Sequence, residues 1–97
     1  MRLPREIRIS GYTLKIEYKK KIFVNGNECF GVYNPENKTV SLVKGMSPTR
    51  KKEIFLHEYI HFLEDIYRID IAEDEVSSLA LGILQIINHP KIDWKSK

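Results

Sequence analysis

The sequence predicts a single α+β domain, in which a small antiparallel β-sheet of three or four strands is followed by two helices. The first half of the chain alternates apolar and polar residues with a period of two, which is typical of strands with one buried face. At about residue 48 the pattern changes to the helical period. A chain of 97 residues is long enough for one modest core and too short for two. We therefore expect one domain over residues 1–97, with strands within about 6–44 and helices at about 48–67 and 72–88.

Composition and charge exclude several classes of protein. A hydrophobic fraction of 42% and a charged fraction of 30% predict a folded chain, not a disordered one. The basic residues behind the net charge of +3 are scattered over both halves, so we expect no nucleic-acid partner. Cys29 is the only cysteine and cannot form an internal disulfide or a Cys-rich zinc site. Because no apolar run approaches the roughly 20 residues of a membrane span and the start of the chain lacks a signal-peptide block, we expect a cytoplasmic protein with no membrane partner.

The first strand region covers residues 7–18, where apolar residues alternate with polar ones. Gly11 interrupts this alternation, and we interpret it as a kink within the strand. The lysines at 19–21 end the pattern and predict a solvated turn or a sheet edge, since a lysine cluster discourages edge pairing.

A second group of strands follows two turn signals. Ile22–Val24 leads into Asn25-Gly26, the strongest short signal for a hairpin, and Cys29–Tyr33 is then the returning strand. Residues 34–37, with the sequence NPEN, predict a second turn before a strand at Thr39–Val43. Together these segments predict the antiparallel meander.

The first helix is predicted to begin at Pro48, with Ser47 as its N-cap, and to end near Tyr67. Its apolar residues cover well over a third of the helical circumference, which indicates a central helix that is covered on several sides. The apolar residues are Phe55, Leu56, Tyr59, Ile60, Phe62, Leu63, Ile66 and Tyr67. The narrow polar strip that remains carries Glu53, His57, His61 and Glu64.

The second helix is predicted from about residue 72 to about 88, where Asn88-His89-Pro90 ends it. The connection at 68–71 is short, so the two helices should be antiparallel neighbours. One face of the second helix is apolar and consists of Val76, Leu79, Ala80, Ile83, Leu84 and Ile87.

Residues 57–61 of the first helix are HEYIH, which has the HExxH spacing. Residues four apart lie on the same helical face, so His57 and His61 can occupy two corners of one tetrahedral zinc site. Glu58 is placed to act as a general base on the water that such an ion activates. The motif lies on the polar strip of an otherwise apolar helix, which favours a metal site over two surface histidines.

A catalytic zinc site needs a third protein ligand, and the sequence leaves three candidates. The metzincin pattern is excluded because Glu64 and Tyr67 occupy the positions where it has Gly and His. The start of the second helix offers Glu73 and Glu75, and the helical repeat mildly favours Glu73 because its neighbour Ser77 is small. Glu64 also lies on the histidine face, although one straight helix rarely supplies all three ligands.

Two further roles stay open. Asp70 and Glu73 have the spacing of a capping box, in which Glu73 would bind the backbone of Asp70 and not a metal. Hydrolysis at such a site also calls for a side chain that stabilises the oxyanion. Tyr12, Tyr33 and Tyr59 are the candidates for that role.

The motif helix and the segment after it resemble a known family. Residues 72–80 are AEDEVSSLA, and together with HEYIH they resemble the ImmA/IrrE-type metallopeptidases, a gluzincin-like family with many members from phages and mobile elements. That family follows HExxH with a pattern near E-x-E-A-N-x-F-A at the start of the next helix. The resemblance covers roughly residues 30–88, and it includes the hairpin that precedes the motif helix. The chain departs from the family pattern at Val76 and Ser77, where the family prefers Ala and Asn.

The resemblance implies a minimal zincin-like fold and a zinc-dependent metallopeptidase activity. It implies that His57, His61 and Glu73 bind Zn²⁺ and that Glu58 is the catalytic base. The partner would be a protein or peptide substrate. One alternative is a non-catalytic zincin-fold module that serves interaction or regulation in a phage or mobile element. Another is a small basic nucleic-acid-associated protein in which HExxH is incidental. None of these interpretations predicts an oligomeric state.

Overall fold

The computed structural model describes residues 3–93 and 95. In this part of the chain six strands come first and two helices follow, which confirms the α+β class. The strands are β1 (Glu6–Ile9), β2 (Tyr12–Lys19), β3 (Ile22–Val24), β4 (Asn27–Cys29), β5 (Gly31–Asn34) and β6 (Thr39–Val43), and the helices are α1 (Pro48–Tyr67) and α2 (Glu73–Ile87). Neither of these two helices has the length and apolar character needed to cross a membrane.

Two tight turns organise the first four strands. Ser10 and Gly11 have φ angles of 51° and 82°, and Asn25 and Gly26 have φ angles of 51° and 81°. Two consecutive residues with positive φ are typical of type I′ turns, whose twist matches that of the flanking strands. The Asn25-Gly26 turn joins β3 to β4 as predicted. Gly11 does not kink a strand as expected, because with Ser10 it forms the turn that makes β1 and β2 antiparallel partners.

The main sheet is mixed, with strand order β1-β2-β6-β5. β2 and β6 are parallel, with Lys15 opposite Thr39 and Lys19 opposite Val43, while the other two pairs are antiparallel. The expectation of a purely antiparallel sheet was therefore wrong. The excursion through residues 20–38 returns the chain to the end of the sheet where β2 began, and a connection of that length permits a parallel pair. As an interior strand, β6 buries every residue from Thr39 to Leu42.

The predicted returning strand at Cys29–Tyr33 is divided between two sheets. β4 ends at Cys29 and pairs with β3, whereas β5 begins at Gly31 and pairs with β6. β5 and β6 are joined by the predicted turn, in which Oδ1 of Asn34 accepts the N–H of Glu36 at 2.9 Å. β5 is thus an edge strand of the main sheet.

Helix α1 begins and ends where the sequence predicts. Oγ of Ser47 accepts the N–H of Arg50 at 3.2 Å, and Pro48 is the first helical residue, where its missing N–H leaves no bond unmade. At the other end Arg68 has a φ of 55°, and its N–H bonds the carbonyl of Glu64. A left-handed residue at this position ends the helix and lets the chain turn toward α2.

Helix α1 lies between the main sheet and α2. A buried cluster joins α1 to the sheet and consists of Leu14, Ile16, Val40, Leu42, Phe55 and Phe62. On another side of α1, Ile60 packs with Val76 and Ala80 of α2. The wide apolar arc predicted for α1 is therefore covered by two partners, and the polar strip lies between them.

Helix α2 packs antiparallel to α1, as expected. Nζ of Lys52, near the start of α1, donates to Oδ1 of Asn88 just after α2, at 3.1 Å. His61, near the end of α1, lies close to Glu73 at the start of α2. The apolar face predicted for α2 is only partly buried: Val76, Ala80 and Leu84 are buried, whereas Leu79, Ile83 and Ile87 are exposed. A single neighbouring helix covers only a narrow stripe of residues at i, i+4 and i+8.

Candidate metal centre

The two motif histidines lie one above the other on α1. The centroids of the His57 and His61 rings are 5.1 Å apart, with an angle of 64° between the ring planes. This arrangement follows from the helical repeat, which places residues i and i+4 on one face. Both side chains are partly exposed, with 20% of His57 and 28% of His61 accessible, so a ligand can reach them.

Glu73 reaches across from α2 to both histidines. Its Oε1 lies 2.7 Å from Nε2 of His57, and its Oε2 lies 3.3 Å from Nε2 of His61. The short connection between the helices makes this possible, because Glu73 is the first residue of α2 and α2 runs back along α1. One ligand atom from each of the three side chains lies within 4.8 Å of the others.

The remaining ring nitrogens have partners of their own. Nδ1 of His61 lies 2.8 Å from Oε1 of Glu64, and Nδ1 of His57 lies 3.5 Å from Oγ of Ser77. A partner at Nδ1 fixes the ring orientation and directs Nε2 toward a shared ligand. Glu64 also anchors the connection between the helices, because its Oε2 accepts the N–H of Ile71 at 2.9 Å.

The structure places the three candidate third ligands differently. Both oxygens of Glu73 lie at the histidines, not at the backbone of Asp70. Glu75 forms the helix cap instead, since its Oε1 accepts the N–H of Ala72 at 3.2 Å. Glu64 contacts the side of the His61 ring that faces away from Glu73. Of the three carboxylates, Glu73 is the one in contact with both Nε2 atoms.

Glu58 lies beside the histidines and is half-buried. Burial raises the pKa of its carboxyl group because the charged form loses hydration, and the nearby charge of Glu73 adds to this rise. The charges of His57 and His61 and a hydrogen bond from the backbone of Tyr33 counteract the rise only in part. A carboxylate whose pKa is shifted upward accepts a proton more readily at neutral pH, which suits a general base.

Glu73 has the opposite shift. Its side chain is mostly exposed, and the small loss of hydration that acts to raise its pKa is outweighed by hydrogen bonds and charges from His57 and His61, which lower the pKa. Two carboxylates within one cluster thus have pKa values moved in opposite directions, and such divergence is typical of sites where the two groups have different roles.

A depression opens beside the cluster, between β5 and α1. It is lined by Val32, Tyr33, Pro35, Glu58, His61, Glu64 and Asp65. Of the three tyrosines considered for the oxyanion role, Tyr33 lines this depression. Tyr12 lies under Nζ of Lys38, 5.4 Å from its ring centroid, and the Tyr59 ring stacks between Phe55 and Phe62.

A polar cluster that sequence reasoning missed holds β5 against α1. Oδ2 of Asp65 accepts the hydroxyl proton of Tyr33 at 2.6 Å and pairs with Nζ of Lys38 at 2.9 Å. Burial and the bond to Asp65 raise the pKa of Tyr33 well above its usual range, so its hydroxyl stays protonated as a donor. The sequence did contain a signal for Asp65. It lies four residues after His61, so the two side chains are neighbours on the same face of α1.

The donor set at the cluster suits Zn²⁺. Imidazole nitrogen and carboxylate oxygen are both zinc ligands, and atoms about 2.0–2.2 Å from a tetrahedral ion are about 3.3 Å from one another. The 3.3 Å between Oε2 of Glu73 and Nε2 of His61 matches that separation. The 2.7 Å between Oε1 of Glu73 and Nε2 of His57 is a hydrogen-bond distance, which would lengthen if an ion were bound between them. His57, His61 and Glu73 together form a group that could hold a metal ion of this kind.

No protein-family model matches the chain, and neither a curated protein nor a solved structure does.

Proposed function

We propose that the protein is a zinc-dependent metallopeptidase, in which His57, His61 and Glu73 hold the ion and Glu58 is the general base. The convergence of three ligand atoms within 4.8 Å, on two different helices, carries this proposal. The resemblance of HEYIH and of the start of α2 to the ImmA/IrrE-type metallopeptidases agrees with it, and we propose membership in that family.

The chain's own residues have distinct tasks in the proposed reaction. A bound zinc ion would supply Lewis-acid activation of water and of the peptide carbonyl. Glu58 takes a proton from the attacking water and returns it to the leaving amine, a role that its raised pKa supports. Glu64 holds the His61 ring at Nδ1, which keeps Nε2 of that ring directed toward Glu73, and Ser77 makes a longer contact of 3.5 Å with Nδ1 of His57.

A peptide is the proposed substrate class because of what borders the cluster. β5 is one of the two edge strands of the main sheet, and it lines the depression that is also lined by Glu58 and His61. The unpaired backbone groups of an edge strand can hydrogen-bond an extended peptide. We place this activity in the cytoplasm, since Cys29 alone requires no oxidising compartment.

The test of the proposed chemistry is the variant Glu58→Gln, assayed with zinc-loaded protein on a mixed peptide library. We expect wild-type protein to cleave peptides and the variant to lose at least about 100-fold in rate while it keeps its zinc, since general-base catalysis contributes on that scale. Glu36→Gln, an exposed acid in the β5–β6 turn, is the matched control and should cleave like wild type.

Cleavage that survives Glu58→Gln would exclude Glu58 as the base. If the wild type binds zinc and cleaves no peptide in the library, the peptidase proposal is wrong. That result would favour the non-catalytic interaction module, for which the exposed apolar face of α2 is the supporting observation.

A further inference from the structure

Helix α2 exposes more large aliphatic side chains than it buries. Leu79, Ile83, Ile86 and Ile87 are 47%, 38%, 48% and 46% exposed, and no described element of the chain packs over them. Single exposed aliphatic residues are common on protein surfaces, but a contiguous group on one helix is typical of an interaction site. This surface, which we call the α2 stripe, consists of Glu75, Leu79, Ile83 and Ile86, with Ile87 at its border.

The α2 stripe is a straight track along the helix. At 100° per residue its members lie within about 80° of one another around the helix axis, which is the width that one partner helix covers. Glu73 lies about 120° from Leu79 by the same repeat, on the side that faces α1. A partner on the stripe therefore leaves the histidine cluster accessible.

Gly82 lies along the border of the stripe, one turn before Ile86. A Cβ atom added there meets nothing within 4 Å, so the packing of the described chain does not require a glycine. A glycine in a helix interior destabilises the helix relative to alanine. A glycine at this place leaves room for another backbone to approach the helix closely.

The two ends of α2 carry opposite charges, so a second α2 that runs in the opposite direction would be complementary to the first. The first turn exposes Asp74 and Glu75, whereas the carboxylate of Glu73 is turned toward the histidines of α1. Beyond the other end lie two exposed lysines, Lys91 and Lys95, with one exposed acid, Asp93, between them. An antiparallel copy of α2 would bring acidic ends to basic ends, whereas a parallel copy would bring the acidic ends together. A surface that is complementary to itself in this way fits a two-fold symmetric contact.

We propose that the α2 stripe binds a second copy of this chain, so that two α2 helices pack antiparallel across a two-fold axis near Ile83. By helical spacing, Leu79 then packs near Ile87 of the partner. The acidic start of each α2 points toward the end of the partner's α2, which Lys91 follows by four residues. The proposal does not depend on the proposed function, because the stripe and the histidine cluster lie on different sides of α2.

The first test is sedimentation equilibrium from about 1 µM to about 500 µM, a range chosen because one helix per chain makes a small interface. Wild-type protein should move from the monomer mass of 11.4 kDa toward twice that mass as concentration rises. Ile83→Glu should remain monomeric throughout. Leu81→Glu is the matched control, since Leu81 is 44% exposed on the opposite side of α2, and it should dimerise like wild type.

The variant Gly82→Gln distinguishes an effect on dimerisation from an effect on folding, because the two should change in opposite directions. It should raise the melting temperature of the dilute monomer, because glutamine is the better helix former, and it should weaken dimerisation at least about tenfold through steric exclusion. The charge reversal Glu75→Lys should weaken dimerisation about threefold, as expected for an exposed ion pair, and addition of Lys91→Glu should restore it. If the loss came only from the helix cap that Glu75 forms, Lys91→Glu would restore nothing.

Wild-type protein that stays monomeric up to the highest concentration overturns the proposal. So does a dimer that persists in Ile83→Glu, or a mass that grows beyond the dimer, which would mean a contact that does not close. Circular dichroism of each variant shows whether it is folded before its mass is interpreted.

Discussion

One carboxyl oxygen of Glu64 lies 2.8 Å from Nδ1 of His61, while its other oxygen accepts the N–H of Ile71 at 2.9 Å. The same side chain therefore orients a proposed zinc ligand and fixes the connection that leads into α2. Glu73, the first residue of α2, lies two residues after Ile71. The orientation of His61 and the position of Glu73 therefore both depend on the carboxylate of Glu64.

Removal of this carboxylate should weaken zinc binding without unfolding the protein. Glu64→Ala should lower zinc affinity about 10- to 100-fold, as is typical when a partner of a ligating histidine is lost. Competition with a chelating dye measures the change. The control Glu53→Gln alters another acid of the polar strip, which pairs with Arg50 at 3.4 Å, and should leave the affinity unchanged. Equal affinities for Glu64→Ala and wild type would show that the His61 contact does not position the ligand.

Gly31 sets the distance between β5 and α1. A Cβ atom at this position would lie 2.6 Å from Cγ2 of Ile54 and 3.4 Å from Cγ of Glu58, so α1 or β5 would have to move. Gly31→Ala should lower the free energy of unfolding by about 1–3 kcal/mol, the usual cost of overpacking. Urea denaturation of dilute protein measures it. Gly82→Ala is the control, because the added atom meets nothing within 4 Å, and it should be neutral or stabilising. If Gly31→Ala were as stable as wild type, the close packing of β5 against α1 would be contradicted.

The link between Asp65 and Lys38 predicts a pH dependence of stability. Hydrogen bonds from Tyr33 and Lys38 lower the pKa of the Asp65 carboxyl below its ordinary value of 3.8. A carboxyl group whose pKa is lowered by folding stabilises the protein above its unfolded pKa, and this contribution is lost as the pH falls through the folded pKa. The pair is about 30% exposed, so solvent screening limits its strength.

Asp65→Asn should therefore cost about 1 kcal/mol at pH 7, and the difference from wild type should shrink below about pH 4. Urea midpoints at several pH values test this. Glu36→Gln serves as the control, because Glu36 lies in the β5–β6 hairpin that also carries Tyr33 and Lys38. A difference that stays constant down to about pH 2.5 would mean that the charge of Asp65 is not what stabilises the contact.

Local signals in the sequence were sufficient for most elements of the fold. Ser47 and Pro48 marked the start of α1, and Asn25-Gly26 marked a hairpin, because caps and tight turns depend on neighbouring residues alone. The order of strands in the main sheet was not predictable in this way. The pairing of β2 with β6 joins residues more than twenty positions apart, and no periodicity encodes whether such a pair is parallel.

The part of the candidate site that lies within α1 was predictable from the sequence, whereas the part contributed by other elements was not. His57 and His61 share a face by spacing alone, whereas the choice between Glu73 and Glu75 depended on how α2 approaches α1. Asp65 was missed because its partners Tyr33 and Lys38 come from the sheet. The exposure of Leu79 and Ile83 was likewise unpredictable, since an apolar helical face does not reveal how much of it a neighbour covers.

The metal content of the purified protein tests the central proposal most directly. Each protein is mixed with one equivalent of zinc and then dialysed against zinc-free buffer. Elemental analysis should then give about one zinc per chain for wild type and for Glu75→Gln, and almost none for His61→Ala and Glu73→Gln. Circular dichroism should show all four proteins folded. A folded wild-type protein without zinc would contradict the proposal, and zinc retained by Glu73→Gln but lost by Glu75→Gln would contradict the assigned third ligand.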